Sequence, residues 1–286
     1  MTIQRAIVLP SDPFNPHNVD EAFTKEASVV RWNETLVSIL IDHDELQTSG
    51  NLKIKGDSYD SPVEGVYRGW MVAPSQYEVF YAALKSHNII LRTTPTMFRK
   101  AHMIDGWVEA LKGLTPDTVL LGLNPSVEEI LNAGISLASE SFFVKDYVKA
   151  RKHEWAEACY APTLDVLPTI VKNMITLQEE YLTGGVAIRE FIHFDKKVEI
   201  RYWWVKGEFV TSIVHPDFAG KEIVSVPEEF LIQVNERLNT LDLRYLAVDF
   251  AKTVDGKWYV VEIGDGQVSG FPNDLDDETV EKVLTS

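Results

Sequence analysis

A chain of 286 residues, 45% hydrophobic and 24% charged, is long enough for two globular domains or one large one with a sizeable core. Its 43 acidic against 27 basic residues set a formal charge of -16, a field that repels polyanions and argues against nucleic acid as a partner. A single cysteine, Cys159, excludes an internal disulfide and a cysteine-built zinc site. The apolar stretch within Met1 to Pro10 is too short for a signal peptide, and no run approaches the roughly 20 residues of a membrane span, so a cytoplasmic protein without membrane association is expected.

In chain order, residues 3–9 (IQRAIVL) read as a buried strand, PSDPFNPHN as a loop, and a helix starts near Val19. Strand signals return over Val30 to Ile41, Asp42 to Glu45 reads as an acidic turn, and LQTSGNLKIKG as a hairpin around Gly50. A strand at Gly65 to Trp70 precedes a helix over Ser75 to His87, opened by Pro74, with Tyr77, Phe80, Tyr81 and Leu84 at helical spacing. A short strand (NIILR), a helix over about Met97 to Leu111 and the GLTP punctuation complete an alternating α/β domain placed at 1–113.

From residue 114 the pattern becomes α+β. A strand (DTVLLGL), a helix begun by Asn124-Pro125-Ser126, and an apolar strand, Ser141 to Lys145 (SFFVK), lead into KDYVKARKH, where Lys145, Lys149, Arg151 and Lys152 gather positive charge in an acidic chain. Pro168 starts a helix over Thr169 to Leu182, stopped by Gly184-Gly185. Strands follow at Val186 to Phe194, Val198 to Val205 and Glu208 to Val214, then a helix over Pro227 to Asn239, two final strands and an acidic terminal helix. Trp203 and Trp204 read as core and sheet-face packing. Subdomains fall at about 114–191 and 192–286.

The two final strands, Leu243 to Thr253 and Lys257 to Ile263, flank Asp255-Gly256, a strong turn signal. If Val254 pairs with Lys257, or a longer loop closes at Thr253 and Trp258, the register runs back to set Asp249 opposite Glu262. Opposed residues share a sheet face with Cβ atoms roughly 4.5–5.5 Å apart, and like charges so placed repel. A cation would turn that penalty into a site, and magnesium suits one or two carboxylates with water and phosphate completing its shell. Without metal, neutralising either carboxylate should leave the protein as stable or more so. Small neighbours on that face, Ala247 and Ala251, leave room for a ligand.

A lysine ending an apolar strand (FVK, Lys145), Arg189-Glu190-Phe191-Ile192 after a helix and a glycine pair, an arginine in Glu199-Ile200-Arg201, and the carboxylate pair stand in this order. In that arrangement the chain resembles the ATP-grasp superfamily, which includes glutathione synthetase and D-alanine-D-alanine ligase. The similarity is greatest to a divergent phage and bacterial clade with FVK, REF and EIR motifs. It covers 117–286 well and 65–116 loosely, where YRGW and TPDTV resemble the pre-ATP-grasp region. The resemblance implies an α/β pre-ATP-grasp domain followed by an α+β ATP-grasp domain that holds nucleotide between two sheets. It implies that Lys145 contacts the adenine and α-phosphate, that Glu190 to Ile192 form the adenine hinge with Arg189 beside them in the nucleotide site, that Arg201 faces the phosphates, and that Asp249 and Glu262 hold magnesium.

Two departures mark this chain. The small-residue flap after the strand lysine is replaced by a charged and aromatic stretch, DYVKARKHEWAEACYAP, so phosphate cover would fall to Lys149, Arg151 or Lys152 as a mobile lid. The family's Glu-x-Asn ending is changed, and Asp265 is expected to supply the ligand that asparagine gives elsewhere. His215, Gln267 and Ser269 are candidates for an acceptor pocket. Taken singly, Lys145 also fits a strand-end snorkelling lysine and Arg201 a cross-strand partner of Glu199 or Glu208. The function implied is an ATP- and magnesium-dependent ligase that joins a carboxylate, through an acyl phosphate, to an amine or other nucleophile on a small-molecule or peptide acceptor. The alternative is a nucleotide-binding assembly chaperone of the same fold that clamps a protein partner without ligation.

Overall fold

The computed structural model describes residues 5–55, 59–218, 224–272 and 275–286, and only the backbone of residues 180 and 196–198. The first strand, β1 (Arg5–Pro10), is buried almost throughout, as the centre of a parallel sheet requires. It pairs in parallel with β2 (Leu36–Ile41), reached through helix α1 (Thr24–Trp32). The next helix, α2 (His43–Ser49), replaces the expected acidic turn and Gly50 hairpin: the Asp42 side chain caps it by accepting from the Glu45 amide, and Gly50 ends it at φ 71°. A short β3 (Ile54–Lys55) pairs antiparallel with β2, and β4 (Val63–Tyr67), helix α3 (Pro74–Ser86) and β5 (Ile89–Leu91) complete a five-stranded sheet of order β3-β2-β1-β4-β5.

Helix α4 (Pro95–His102) is shorter than the sequence pattern suggests. A Cβ on Gly106 would lie 2.1 Å from the Lys100 carbonyl, so the chain folds back there into tight turns. Strand β6 (Thr118–Leu121) leads to helix α5 (Val127–Leu137), begun by a capping box in which Ser126 and Glu129 exchange hydrogen bonds. After β7 (Phe142–Asp146) come a two-residue β8 (Tyr160–Ala161), helix α6 (Leu167–Gln178) and β9 (Val186–Glu190), giving an antiparallel sheet of order β6-β9-β7-β8. Helices α5 and α6 cover one face of it, packing on Phe142, Val144, Val186 and Ile188.

The third sheet, order β11-β10-β12-β13, is built from β10 (Phe194–Val205), β11 (Glu208–Val214), β12 (Tyr245–Thr253) and β13 (Trp258–Asp265), with helix α7 (Glu228–Leu238) between β11 and β12. Trp203 and Trp204 point to opposite faces of β10 and enter different cores, as their adjacency in a strand dictates. Trp204 packs with Val234 and Leu238 of α7, and also with Ala101, Trp107 and Leu111, so the segment after the first sheet belongs to the core of the third. Trp203 packs with Ile7 and Leu9 of the first sheet and with Val280, Val283 and Leu284 of the terminal helix α8 (Asp277–Thr285). The first and third sheets therefore share one core, and the C-terminal helix returns to α1. No helix among the described residues is long and apolar enough to cross a membrane.

Candidate functional site

The β12–β13 hairpin sets Asp249 opposite Glu262, by a route that differs from both turn readings. Thr253 donates its amide to the Lys257 carbonyl at 2.8 Å and takes the Lys257 amide on its hydroxyl at 2.9 Å, which closes a three-residue loop with Gly256 at φ 97°. The strands then pair as Lys252 with Trp258 and Phe250 with Val260, one residue out of the expected register. A β-bulge at Val261 takes up the extra residue and restores the Asp249–Glu262 pair. Without the bulge Asp249 would face Val261. Its carbonyl, released from the ladder, accepts Nη1 of Arg189 at 2.9 Å.

The expected repulsion between the two carboxylates is met by cations from the neighbouring strands. Arg201, directly opposite Asp249 on β10, grips it with Nε on Oδ1 and Nη2 on Oδ2, both at 2.8 Å. Lys145 reaches across from β7 to place Nζ 3.5 Å from Oε1 of Glu262. Partial burial opposes ionisation of Glu262, whose side chain is still half-exposed, yet Lys145, with Lys149, Lys152 and Arg201 beyond it, holds its carboxyl below the usual range. Burial likewise lowers the Lys145 ammonium, while burial of Arg201 is outweighed by Asp249, which raises it. Asp249 is thus a tied carboxylate, and the unpartnered repulsion on which that stability expectation rested is absent.

His215 and Glu199 complete this group. The His215 Nε2 lies 2.8 Å from Nη2 of Arg201, 3.6 Å from Asp249 and 3.8 Å from Glu199, while its Nδ1 takes the Asp217 amide at 3.2 Å. Both ring nitrogens face N–H donors, one more than a neutral imidazole accepts. Ligand atoms of Glu199, His215 and Asp249 all lie within 4.8 Å of one another, the one such cluster among the described residues. Burial, with Asp249 close by, pushes Glu199 up to about 7. His215 therefore sits beside the carboxylate pair, and Glu199, two residues before Arg201 and so on the same strand face, joins it.

Arg189 spans the second and third sheets. Besides Val261 it bonds the Thr118 and Thr115 hydroxyls at 3.1 and 2.7 Å, and burial lowers its pKa to about 10. Phe143 pairs with both Arg189 and Tyr160, and Lys145 is two residues on, so these side chains share the β7–β9 face turned towards Glu262. Along that face runs an aromatic wall: Phe143 to Trp155 at 5.8 Å, Trp155 stacked on Tyr160 at 5.9 Å and 11°, and Tyr160 to Phe191 at 4.7 Å. Trp155 opens a single π-helical turn, Trp155–Cys159, and is 41% exposed. At the hinge, Glu190 bonds the Asp117 amide through its side chain at 2.9 Å, Phe191 donates its amide to Ser141, and Ile192 accepts from Phe194. The Phe191 amide is therefore engaged within the sheet.

In the expected lid, Lys149 is exposed, Arg151 pairs with Glu154 at 2.8 Å, and Lys152 lies 3.9 Å from Asp217 on the third sheet's side. From α4 comes His102, buried and stacked on Phe98 at 5.0 Å. Burial lowers its pKa to about 4, helped by Lys149 and Lys145 and opposed by Glu262, which places it at the same site. Nothing in the sequence around His102 marks it, because only packing of α4 on β13 brings it here.

Three expected site residues are engaged elsewhere. Asp265 follows Glu262 by an odd number of residues, is fully buried, and accepts the Gln267 amide at 3.0 Å; burial raises it to about 7. Gln267 accepts from the Tyr67 amide and donates to the Tyr77 hydroxyl at 2.8 Å. The Ser269 hydroxyl bonds the Asp265 carbonyl at 3.1 Å, and its own carbonyl accepts from buried Arg68 at 2.7 Å. These contacts fasten the GDGQVSG segment to the first sheet, and they leave Asp265 out of the Asp249–Glu262 pair. The two opposed carboxylates themselves offer the oxygen donors that magnesium takes, Glu262 with its side chain 45% exposed and Asp249 under Arg201.

Residues 132–284 match a family described as an ATP-grasp domain, family 3 of its clade. No curated protein matches the chain. The crystal structure of D-cycloserine synthetase DcsG superposes with a TM-score of 0.68 at 15% identity, covering 97% of each chain. The RimK domain protein ATP-grasp from Sphaerobacter thermophilus DSM 20745 gives 0.62 at 15% identity, over 99% of this chain and 100% of that one. The ATP-grasp ligase PsnB, complexed with a phosphomimetic variant of its minimal precursor, Mg and ADP, gives 0.63 at 11% identity, over 100% and 98%. At such identities the superpositions speak for the fold, and the family match carries the assignment: the chain belongs to this family of ATP-grasp domains.

Proposed function

We propose that this protein is an ATP- and magnesium-dependent ligase that activates a carboxylate as an acyl phosphate and joins it to an amine or other nucleophile on a small-molecule or peptide acceptor. The observation that carries the reading is the division of one surface, along the β7–β9 face turned towards Glu262, into two halves. Phe143, Trp155, Tyr160 and Phe191 form an aromatic wall at one end, with Trp155 and Tyr160 parallel and Phe191 edge-on to them, and Lys145, Arg201, Asp249 and Glu262 form a charged group at the other. A heteroaromatic base joined to a polyphosphate has that polarity along its length. ATP-grasp membership and the Mg and ADP in the PsnB complex support the same choice.

In this reading Lys145 binds the α-phosphate, Glu190 to Ile192 border the base, and Arg189 holds the two sheets at the spacing the nucleotide needs. Asp249 and Glu262 would hold magnesium, which when bound neutralises charge on the phosphates. The substrate carboxylate attacks the γ-phosphorus, the bond to the β–γ bridging oxygen breaks, and ADP leaves. Arg201, Lys149 and Lys152 neutralise the transferring phosphoryl group, and the nucleophile then attacks the acyl carbon and expels phosphate. Rate comes from positioning and charge, so no side-chain nucleophile is required, and burial keeps the Cys159 thiol up at about 11. A boundary near residue 113 fits this division of labour in outline, with the nucleotide between the second and third sheets, while residues 101–111 already pack in the core of the third sheet and the terminal helix returns to the first.

The test is phosphate release from ATP and magnesium with pooled amino acids, short peptides or a metabolite extract, followed by mass spectrometry of the product. Acceptor-dependent release with a new amide or ester mass supports the ligase. ATP bound and never cleaved with any acceptor would replace it by the chaperone.

A further inference from the structure

Each carboxylate of the candidate metal pair carries a cation supplied by the chain. Arg201 covers both oxygens of Asp249, and its side chain is only 13% exposed, that of Asp249 5%. Lys145, 7% exposed, stands 3.5 Å from Glu262. A divalent cation arriving alone would have to displace a buried bidentate arginine and leave that guanidinium desolvated next to it, with Glu199 on the same strand face in place of two 2.8 Å bonds to Asp249, a net cost. A triphosphate changes the balance, because its oxygens offer Arg201 and Lys145 new anionic partners in the same site.

We propose that Arg201 and Lys145 are built-in counter-ions that keep free divalent cations off Asp249 and Glu262, so that metal enters only together with the triphosphate that draws the two cations away. The device rests on the nucleotide-binding reading above for its second half only. Two further observations fit it. Arg201 sits where Glu199, His215 and Asp249 converge, so its guanidinium occupies the place in which those three would otherwise gather a cation. The His215 ring, now faced by a donor at each nitrogen, loses one of them when Arg201 turns to phosphate. The arrangement also answers a problem set by the hairpin: opposed carboxylates with nothing between them would repel, or would take up whatever divalent ion is abundant.

The experiment is Mn2+ titration of the full chain, with free Mn2+ read from its EPR signal, with and without a non-hydrolysable ATP analogue. Wild type without nucleotide should bind Mn2+ weakly, and the analogue should tighten binding. Arg201→Gln without nucleotide should bind Mn2+ roughly tenfold more tightly than wild type or better, about 1.4 kcal/mol or more. Adding Asp249→Asn to that variant should abolish the gain. Lys145→Met, which leaves the Arg201–Asp249 pair intact, should show a smaller gain and serves if Arg201→Gln fails to fold by circular dichroism. Nucleotide-free wild type binding Mn2+ as tightly as both variants would overturn the counter-ion role. If the variants gain Mn2+ but the analogue never tightens wild-type binding, the counter-ions stand and the nucleotide reading fails. If the analogue recruits Mn2+ and neither variant gains, the reverse holds.

Discussion

The Arg201–Asp249 pair should be a major source of stability, and its value follows from its burial. Arg201→Met removes two 2.8 Å charge-assisted bonds and leaves the Asp249 carboxylate buried directly opposite Glu262. Both partners are too buried for solvent to screen the loss, so breaking the pair from one side should cost about 3–5 kcal/mol. At roughly 2–4 °C per kcal/mol for a protein of this size, the melting temperature should fall by about 6–20 °C. Asp249→Asn preserves shape and leaves Arg201 beside His215 and Glu199, so it should cost less, about 2 kcal/mol. The double change Arg201→Met with Asp249→Leu removes both charges and should recover most of the loss, since a buried pair replaced by apolar groups of similar volume is often neutral. Urea unfolding in EDTA excludes any contribution from metal, and wild type, Arg201→Met, Asp249→Leu and the double variant form a cycle whose coupling should exceed about 1.5 kcal/mol. Single variants within about 0.5 kcal/mol of wild type, or a double variant equal to their sum, would refute the reasoning.

Asp265→Asn tests the reassignment of that residue. Its folded pKa is raised from 3.8 to about 7 by burial, so the stability it contributes is fully present below pH 3.8 and is lost as pH rises through about 7. Asn should therefore match wild type below about pH 3.8 and be the more stable by up to a few kcal/mol at pH 8, at about 1.4 kcal/mol per unit; melts of the two proteins that stay parallel across this range would count against it. Trp155→Ala should weaken ATP binding by about 1–3 kcal/mol, the worth of one stacked base, and leave Mg-tripolyphosphate binding unchanged. Calorimetry with both ligands checks this, and equal losses would remove Trp155 from the base wall. Gly185→Ala should destabilise severely, because φ is 155° and the new Cβ would lie 2.2 Å from the Leu121 carbonyl. A soluble variant with an unchanged melt would contradict that geometry.

Much of the site was legible because strand pairing is periodic and local. Alternation in β12 and β13 and an Asp-Gly turn between them were enough to oppose Asp249 and Glu262, and the order FVK, REF, EIR was enough to point to the ATP-grasp fold. Even there the two turn readings each missed the three-residue loop by one residue, and a bulge at Val261 made good the difference, since a bulge depends on what the freed carbonyl can bond, here Arg189 of another sheet. The hairpin around Gly50 was misread because a glycine after polar residues ends a helix as readily as it turns a strand; the Asp42 cap decided for α2.

What stayed invisible were contacts between segments distant in the chain. Alternation can place Glu262 on a face, but only the approach of β7 towards β13 puts Lys145 against it, and only the packing of α4 on β13 brings in His102. The residues of GDGQVSG carry side chains suited to binding a substrate, and the same hydrogen-bonding groups serve equally to fasten a buried loop. Tertiary structure chose the second use, because Tyr67, Tyr77 and Arg68 meet them there and a buried polar group must find a partner. The sequence by itself determined which residues share a strand face, since that follows from a period of two. Which charges meet across sheets, and so which carboxylates are exposed and which are held by a cation, was decided by packing alone.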